Sequence, residues 1–189
     1  LIEKIEAYKG QVGTSERTGA VIEHRLSLQW FIGMDQFLKK NPQSLSAVMD
    51  DTIQFHPAKA KNTYSHCLSN IKDWCISRQL WWGQRIPAWY DEKGNVYVAE
   101  SLEQLHQRNP ETINLVLTQD EDVLDTWFSS WLWPMEVFKG ISHPGNKEAA
   151  YYYPSTTLVT GQDIIFFWVA RMIMAGYEFE NKPPFKDVY

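Results

Sequence analysis

The last part of the chain constrains the fold most. Residues 156–161 (TTLVTG) form an extended, β-branched run, residues 162–179 (QDIIFFWVARMIMAGYEF) are apolar at helical spacing, and residues 185–189 (FKDVY) are extended again. That order is a β-α-β unit, in which two strands joined by a helix share one sheet, run parallel and take a right-handed crossover. Ligands of such units sit beyond the carboxyl ends of the strands, where the following helix begins. Thr160, Gly161 and Asp163 fall at that point. Gly161 lets a ligand approach the backbone, the free N–H groups of the helix start favour polar or anionic groups, and the Asp163 carboxylate can accept from ribose hydroxyls. A plainer reading has Gly161 only making the turn and Asp163 capping the helix.

Shorter elements precede this unit. Residues 1–9 read as the end of a helix stopped by Gly10 and Gly13. GTSERTG (13–19) is a polar turn and AVIEHRLSLQWFI (20–32) an extended run, so a small β-rich edge is expected over residues 1–33. Apolar residues recur at helical spacing from Met34 to Met49, interrupted by Pro42. Thr52 to His56 reads as a short strand before Pro57, and residues 58–72 as another helix. In WYDEKGNVYVAES (89–101) a turn at Lys93, Gly94 and Asn95 lies between aromatic and β-branched residues, the pattern of a hairpin, after which Ser101 caps a short helix. No repeat or low-complexity tract interrupts this order, and the fold class is α/β.

Composition narrows the function. With 189 residues and 44% apolar content the chain can bury a real core. No run approaches the roughly twenty apolar residues of a membrane span, and LIEKIEAYKG lacks the basic and apolar blocks of a secretory signal, so the chain reads as cytoplasmic. A net charge of -5 argues against a surface built mainly for nucleic acid, leaving RNA contact to a local patch. Cys67 and Cys75 fit neither a disulfide framework nor a paired-cysteine metal site, and the five histidines have no metal-ligand spacing. Nine tryptophans are many for this length; Trp81, Trp82 and Trp89 form one group, Trp127, Trp131 and Trp133 another, and roughly three in four are expected to be packing residues. The chain opens inside a helical pattern and stops where a strand starts, as an excised piece would.

Three long segments carry a resemblance. DWCISRQLWWGQRIPAWY (Asp73 to Tyr90), DEDVLDTWFSSWLWP (Asp120 to Pro134) and LVTGQDIIFFWVARMIMAGY (Leu158 to Tyr177) resemble, in order, signatures of the valyl branch of the class I aminoacyl-tRNA synthetases. Isoleucyl relatives share the ISRQ and WG elements but continue with DVWFDSG and an EGxDQHRGWF helix start, unlike DTWFSS and TGQDIIFFW in this sequence. GTSERTGAVIEHRLSLQWFI is similar to the exit from the inserted editing domain; residues 92–118 match only loosely. The resemblance implies the second half of a Rossmann-like catalytic domain over residues 34–189, with a hairpin insertion near 89–100, and the editing-domain junction over 1–33.

It also implies an activity, activation of valine with ATP followed by transfer to tRNA(Val), with Mg accompanying the nucleotide and a monomeric parent enzyme. Thr160, Gly161 and Asp163 then resemble the positions that hold the adenylate, with Asp163 near the ribose. Ile164 takes the position facing the bound amino acid, Trp82 that of the tryptophan covering the side-chain pocket, and Trp168, four residues after Ile164 on one helical face, is a further wall. Rigid apolar walls suit a small branched side chain, because they leave no room for an added methylene. Ser77, Arg78 and Gln79, polar residues inside an apolar motif, either brace the floor of the site, the favoured reading, or contact the acceptor end of tRNA, and Asp125 is expected to act as a structural hydrogen-bond acceptor rather than a chemical base. No residue of this chain is nominated as catalytic.

Two departures from the family pattern matter. Some relatives staple the turn after the editing domain and the hairpin after WY with cysteine pairs; this sequence has Ser15 and Thr18 in the first turn and Asp91 and Gly94 in the second, so hydrogen bonds must close both. Neither the His-Ile-Gly-His type signature nor the Lys-Met-Ser-Lys-Ser type loop, which bind the ATP phosphates, occurs in the chain. Two other classes also fit an aromatic-rich chain: a module that binds sugars or single-stranded nucleic acid on exposed tryptophans, and an autonomous editing hydrolase. The lost cysteine pairs give a first prediction: the purified chain holds no stoichiometric zinc, and one tightly bound zinc per chain by elemental analysis would overturn it.

Overall fold

A computed structural model describes residues 2–16 and 18–189. The β-α-β unit is formed. Strands Ser155–Leu158 and Phe185–Val188 pair in parallel with Phe185 opposite Ser155 and Asp187 opposite Thr157. Phe185–Val188 also pairs in parallel with Gln54–Phe55, which places it in the middle of a three-stranded sheet. The expected strand before Pro57 therefore exists because a partner edge is there to take its hydrogen bonds.

The connecting helix is not uniform. A 3-10 turn, Gln162–Ile164, leads into a π-helical stretch, Ile165–Val169, then an α-helical one, Ala170–Ala175, and a second π-helical stretch, Gly176–Glu180. It ends at Asn181, whose φ of 53° lies in the left-handed region that Asn tolerates as a helix terminator. A helix without a polar face has to be covered all round. One side, Ile165, Val169 and Ile173, packs with Val48, Phe55, Tyr64 and Phe185; the other, Met174 and Ala175, packs with Met34, Trp74, Trp131 and Tyr153. Two cores thus share one helix.

Helices Met34–Lys40 and Gln43–Met49 form as the spacing predicts, with the break at Asn41 and Pro42; Pro42 has no N–H and opens the second helix without losing a bond. Helix Ala60–Ser69 packs on the sheet through Tyr64, whose hydroxyl donates to the Ser44 carbonyl. The hairpin is also present. Ala88–Tyr90 pairs antiparallel with Val96–Val98, and Asp91 closes the turn by accepting from the Lys93 and Asn95 backbone N–H groups at 2.9 and 2.8 Å, with Gly94 at φ 83°. A third strand, Thr118–Gln119, pairs on the other side of Ala88–Tyr90. Ser101 Oγ accepts from Gln104 N–H at 3.2 Å and so caps helix Leu102–Arg108.

The first thirty residues differ from the sequence expectation. Residues 2–9 form no helix, and Ile2, Ile5 and Tyr8 are exposed; Leu1 lies outside the described residues. A helix this short is marginal in water and finds no surface here to pack on. The extended run 20–32 is reduced to a bridge between Thr14 and Val21 and the two-residue strand Phe31–Ile32, which pairs with Trp74–Cys75. The intervening residues have no strand beside them. The tryptophans also divide differently: Trp81, Trp82 and Trp133 are exposed and the other six are not, so packing takes two in three.

The shared helix yields a stability prediction. Ile173→Ala removes a side chain with no exposed area from the sheet-side core and is expected to cost about 2–5 kcal/mol in urea unfolding, whereas Phe167→Ala, on an exposed position of the same helix, should cost less than half as much.

Candidate functional site

All three parallel strands run toward one edge, and a cavity of about 230 Å³ lies beyond their carboxyl ends. Phe55, His56 and Pro57 follow the first strand, Val188 and Tyr189 the central one, and Thr160 and Gln162 the third. Thr160 N–H donates to the Tyr189 carbonyl at 2.8 Å and Tyr189 N–H to the Leu158 carbonyl at 2.8 Å, which extends the sheet to the rim. The cavity is smaller than the roughly 300–1,000 Å³ usual for small-molecule sites, and so fits one side of a ligand rather than its whole surface. Thr160 is therefore where the strand order placed it.

Gly161 sits at φ -73° and ψ 143°, a conformation open to any residue, so its glycine character is not a matter of backbone strain. A Cβ at position 161 would meet only the carboxylate of Asp163, the far end of an exposed side chain that can swing aside, so nothing within the chain demands glycine there. Gly161 holds the N-cap position and Asp163 lies exposed in the first turn, which leaves its carboxylate accessible to a ligand.

Sequence reasoning missed the residues facing Thr160 across the cavity. The His56 ring stacks on Tyr189 with centroids 4.4 Å apart and an interplanar angle of 15°, and His56 Nε2 lies 2.9 Å from Asp187 Oδ1. Only the parallel pairing of Gln54–Phe55 with Asp187–Val188 brings these residues together, and no local pattern reports it.

The three residues assigned to an aliphatic pocket are not all brought together. Trp82 is 91% exposed and lines a cavity with Leu80, Gly83, Leu124 and Ser129 whose wall includes neither Ile164 nor Trp168. Ile164 is half-buried at the helix start. Trp168 is half-buried, packs against the core around Val169 and Phe185, and donates from Nε1 to the Ser130 carbonyl at 3.2 Å. The short helix Thr126–Ser130 thus contacts Trp168 through the Ser130 carbonyl, while Ser129 lines the same cavity as Trp82.

That helix is anchored by charge. Asp125 at its N-cap is 5% exposed; it accepts from Trp127 N–H at 3.4 Å and from Trp74 Nε1 at 3.0 Å, and forms ion pairs with Arg78 at 3.1 Å and Arg171 at 3.7 Å. The Arg171 guanidinium lies 3.7 Å above the Trp74 ring. Burial lowers its pKa to about 10; the Asp125 carboxylate opposes the shift and Arg78 adds to it, and the group stays cationic at neutral pH. Arg78 also donates to the Cys75 and Ser77 carbonyls at 2.8 and 2.7 Å, while Ser77 Oγ accepts from Trp30 N–H at 2.8 Å. These are bracing contacts, as the sequence suggested for Ser77, Arg78 and Asp125; Gln79 is exposed. A cleft of about 640 Å³ opens over the network, lined also by Trp127, Phe167 and the free cysteines Cys67 and Cys75.

A parallel sheet with its cavity at the strand ends, followed by a turn and a buried helix, is the open α/β arrangement in which ligands bind at the carboxyl ends of the strands. The sequence model of tRNA synthetases class I (I, L, M and V) matches residues 12–189, and the chain belongs to that family. Among curated relatives, the valine–tRNA ligase of Bacteroides thetaiotaomicron is 59% identical over the whole of this chain, that of Porphyromonas gingivalis 54% over the whole chain, and that of Chlorobaculum tepidum 54% over 98% of it. The chain spans 20–22% of the length of these relatives.

The charge network sets the prediction of this section. Asp125→Ala leaves two guanidinium groups facing each other without their carboxylate and is expected to destabilise by about 3 kcal/mol, the low end of the range for breaking a buried pair, because Arg78 is 38% exposed and can rehydrate. Urea unfolding at neutral pH checks it; a loss under about 1 kcal/mol would show that the carboxylate does not hold the cations together.

Proposed function

We propose that this chain forms the adenylate and amino-acid side of the catalytic domain of a valine–tRNA ligase, which joins valine to tRNA(Val) by way of valyl-adenylate. The observation that carries the reading is the cavity beyond three parallel strand ends, with Thr160 and Gln162 on its wall and the exposed Asp163 next along the chain. Relatives more than half identical over the full chain are valine–tRNA ligases. In the reaction the valine carboxylate oxygen attacks the α-phosphorus of ATP, the bond to the leaving pyrophosphate breaks, and no protein nucleophile is needed. Asp163 accepts from the ribose hydroxyls, and the backbone at Thr160 and Gly161 lies against the nucleotide. Ile164 and Trp168 wall the valine side chain; Trp82, with its indole 91% exposed, is free to close over it from the 80–84 loop.

Residues 1–33 are assigned to the editing-domain junction and 34–189 to the Rossmann-like catalytic domain. Mg accompanies ATP, zinc is not required by this chain, and the whole enzyme is a monomer of the cytoplasm. No helix among the described residues is long and apolar enough to cross a membrane.

The chain carries neither phosphate-binding signature, and binding energy speeds the reaction only where it is expressed in the transition state. The isolated 189 residues should therefore give no valine-dependent exchange of pyrophosphate into ATP, while the full-length enzyme should, with valine preferred over isoleucine. In that enzyme Asp163→Ala should lower kcat/KM for ATP by about 10- to 100-fold, and Ile164→Ala should relax discrimination against isoleucine. Exchange by the isolated chain, or wild-type kinetics in both variants, would place the active site elsewhere.

A further inference from the structure

We propose that Asp125 is a positioning residue for amino-acid specificity, fixing the Trp168 indole by way of the helix Thr126–Ser130. The inference rests on the valine-pocket reading above and adds to it a group that touches no substrate. Two contacts tie this helix to the segment that carries Trp168. At the C-terminal end the Ser130 carbonyl accepts from Trp168 Nε1 at 3.2 Å. At the N-terminal end the Asp125 carboxylate accepts from Trp127 N–H and faces Arg171, three residues beyond Trp168, at 3.7 Å. Arg78 at 3.1 Å and Trp74 Nε1 at 3.0 Å hold the same carboxylate from the strand side.

The helix has five residues, too few to keep its own place, so its position follows from what grips its ends. A loop of contacts results, running from Trp168 to Ser130, back along the helix to Asp125, and through Arg171 to the helix of Trp168. The indole is half-buried and its N–H has one acceptor, so the orientation of the ring is that of the carbonyl it bonds. Exclusion of one added methylene needs a wall that does not yield, whereas ATP binding at Thr160, Gly161 and Asp163 depends on none of these contacts. Loosening Asp125 therefore acts on the choice between valine and isoleucine, and leaves the nucleotide side alone.

The test uses the full-length enzyme and pyrophosphate exchange with valine and with isoleucine. Asp125→Asn keeps shape and an acceptor oxygen but removes the charge; Trp168→Phe keeps an aromatic ring but removes the donor. Each is expected to lower the valine-to-isoleucine ratio of kcat/KM about tenfold, chiefly through a lower KM for isoleucine, with KM for ATP within about twofold. The double variant should lose little beyond either single one, because both break the same loop. Leu105→Ala, fully buried in the helix Leu102–Arg108, is the stability control: it should lower the melting temperature and leave the ratio unchanged. Should Asp125→Asn fail to fold, Arg171→Lys, which keeps the charge and loses the planar fork, replaces it in the same cycle. Additive losses, an unchanged ratio in Asp125→Asn, or an equal change in Leu105→Ala would overturn the proposal. If Ile164→Ala and Trp168→Ala shift the ratio and Asp125→Asn does not, only the coupling fails. If neither pocket variant shifts it, the pocket reading fails and takes this inference with it.

Discussion

The helix from Ile165 to Tyr177 is the constraint on which the structure depends. Seven of its residues, Ile165, Val169, Ala170, Met172, Ile173, Met174 and Ala175, are less than 7% exposed, so it can exist only with protein over most of its surface. The parallel sheet and the helix Ala60–Ser69 cover one side; Trp74, Trp131 and Tyr153 cover the other. Burying an aliphatic side chain of this size is worth about 1.5–3 kcal/mol, and a whole helix of them outweighs what the short flanking helices supply alone. Elements of two to seven residues around it, such as Gln54–Phe55 and Thr126–Ser130, are stable because they lie against this helix or the sheet beside it.

A second constraint opposes the first. Asp125 is almost fully buried next to Trp74, where an isolated carboxylate would cost several kcal/mol. Two arginines and two N–H donors compensate it, and an apolar replacement of the whole set would be expected to serve stability about as well. What the charges add is direction. Hydrophobic contacts between the 126–130 helix and the long helix would tolerate sliding, but an Asp125 held by Arg78, Arg171 and Trp74 admits one placement.

Legibility in the sequence followed the range of the interaction. The β-α-β unit, the Asp91–Asn95 turn and the Ser101 cap were readable because each depends on residues near one another in the chain. The helix expected at residues 1–9 failed because its amphipathic pattern was read without knowing whether any surface would receive it. In the site, Thr160, Gly161 and Asp163 could be placed from strand and helix order, since parallel topology alone sends them to the strand ends. The His56 and Tyr189 stack could not, since it depends on which strand neighbours Phe185–Val188. Trp82 illustrates a further limit: a motif names a residue but not its rotamer or loop, and the indole lies in solvent beside Ser129 rather than against Trp168.

On the proposed reading, in which Trp168 walls the amino-acid pocket, these features bear on how the site discriminates between side chains that differ by one methylene. The difference available from apolar contact is only about 1–3 kcal/mol, comparable to the cost of shifting a few side chains to admit the larger substrate. A wall made of packing alone can therefore yield much of its selectivity by small movements. Trp168 differs from an ordinary packing residue in that its N–H is bonded to Ser130, and moving the ring breaks that bond in a partly buried place or drags the 126–130 helix against the Asp125 ion pairs. Either costs about 1–3 kcal/mol, which is added to the steric penalty for the larger substrate. On that reading a buried carboxylate with no chemistry to perform has a reason to be charged: it makes the far side of the proposed wall costly to deform.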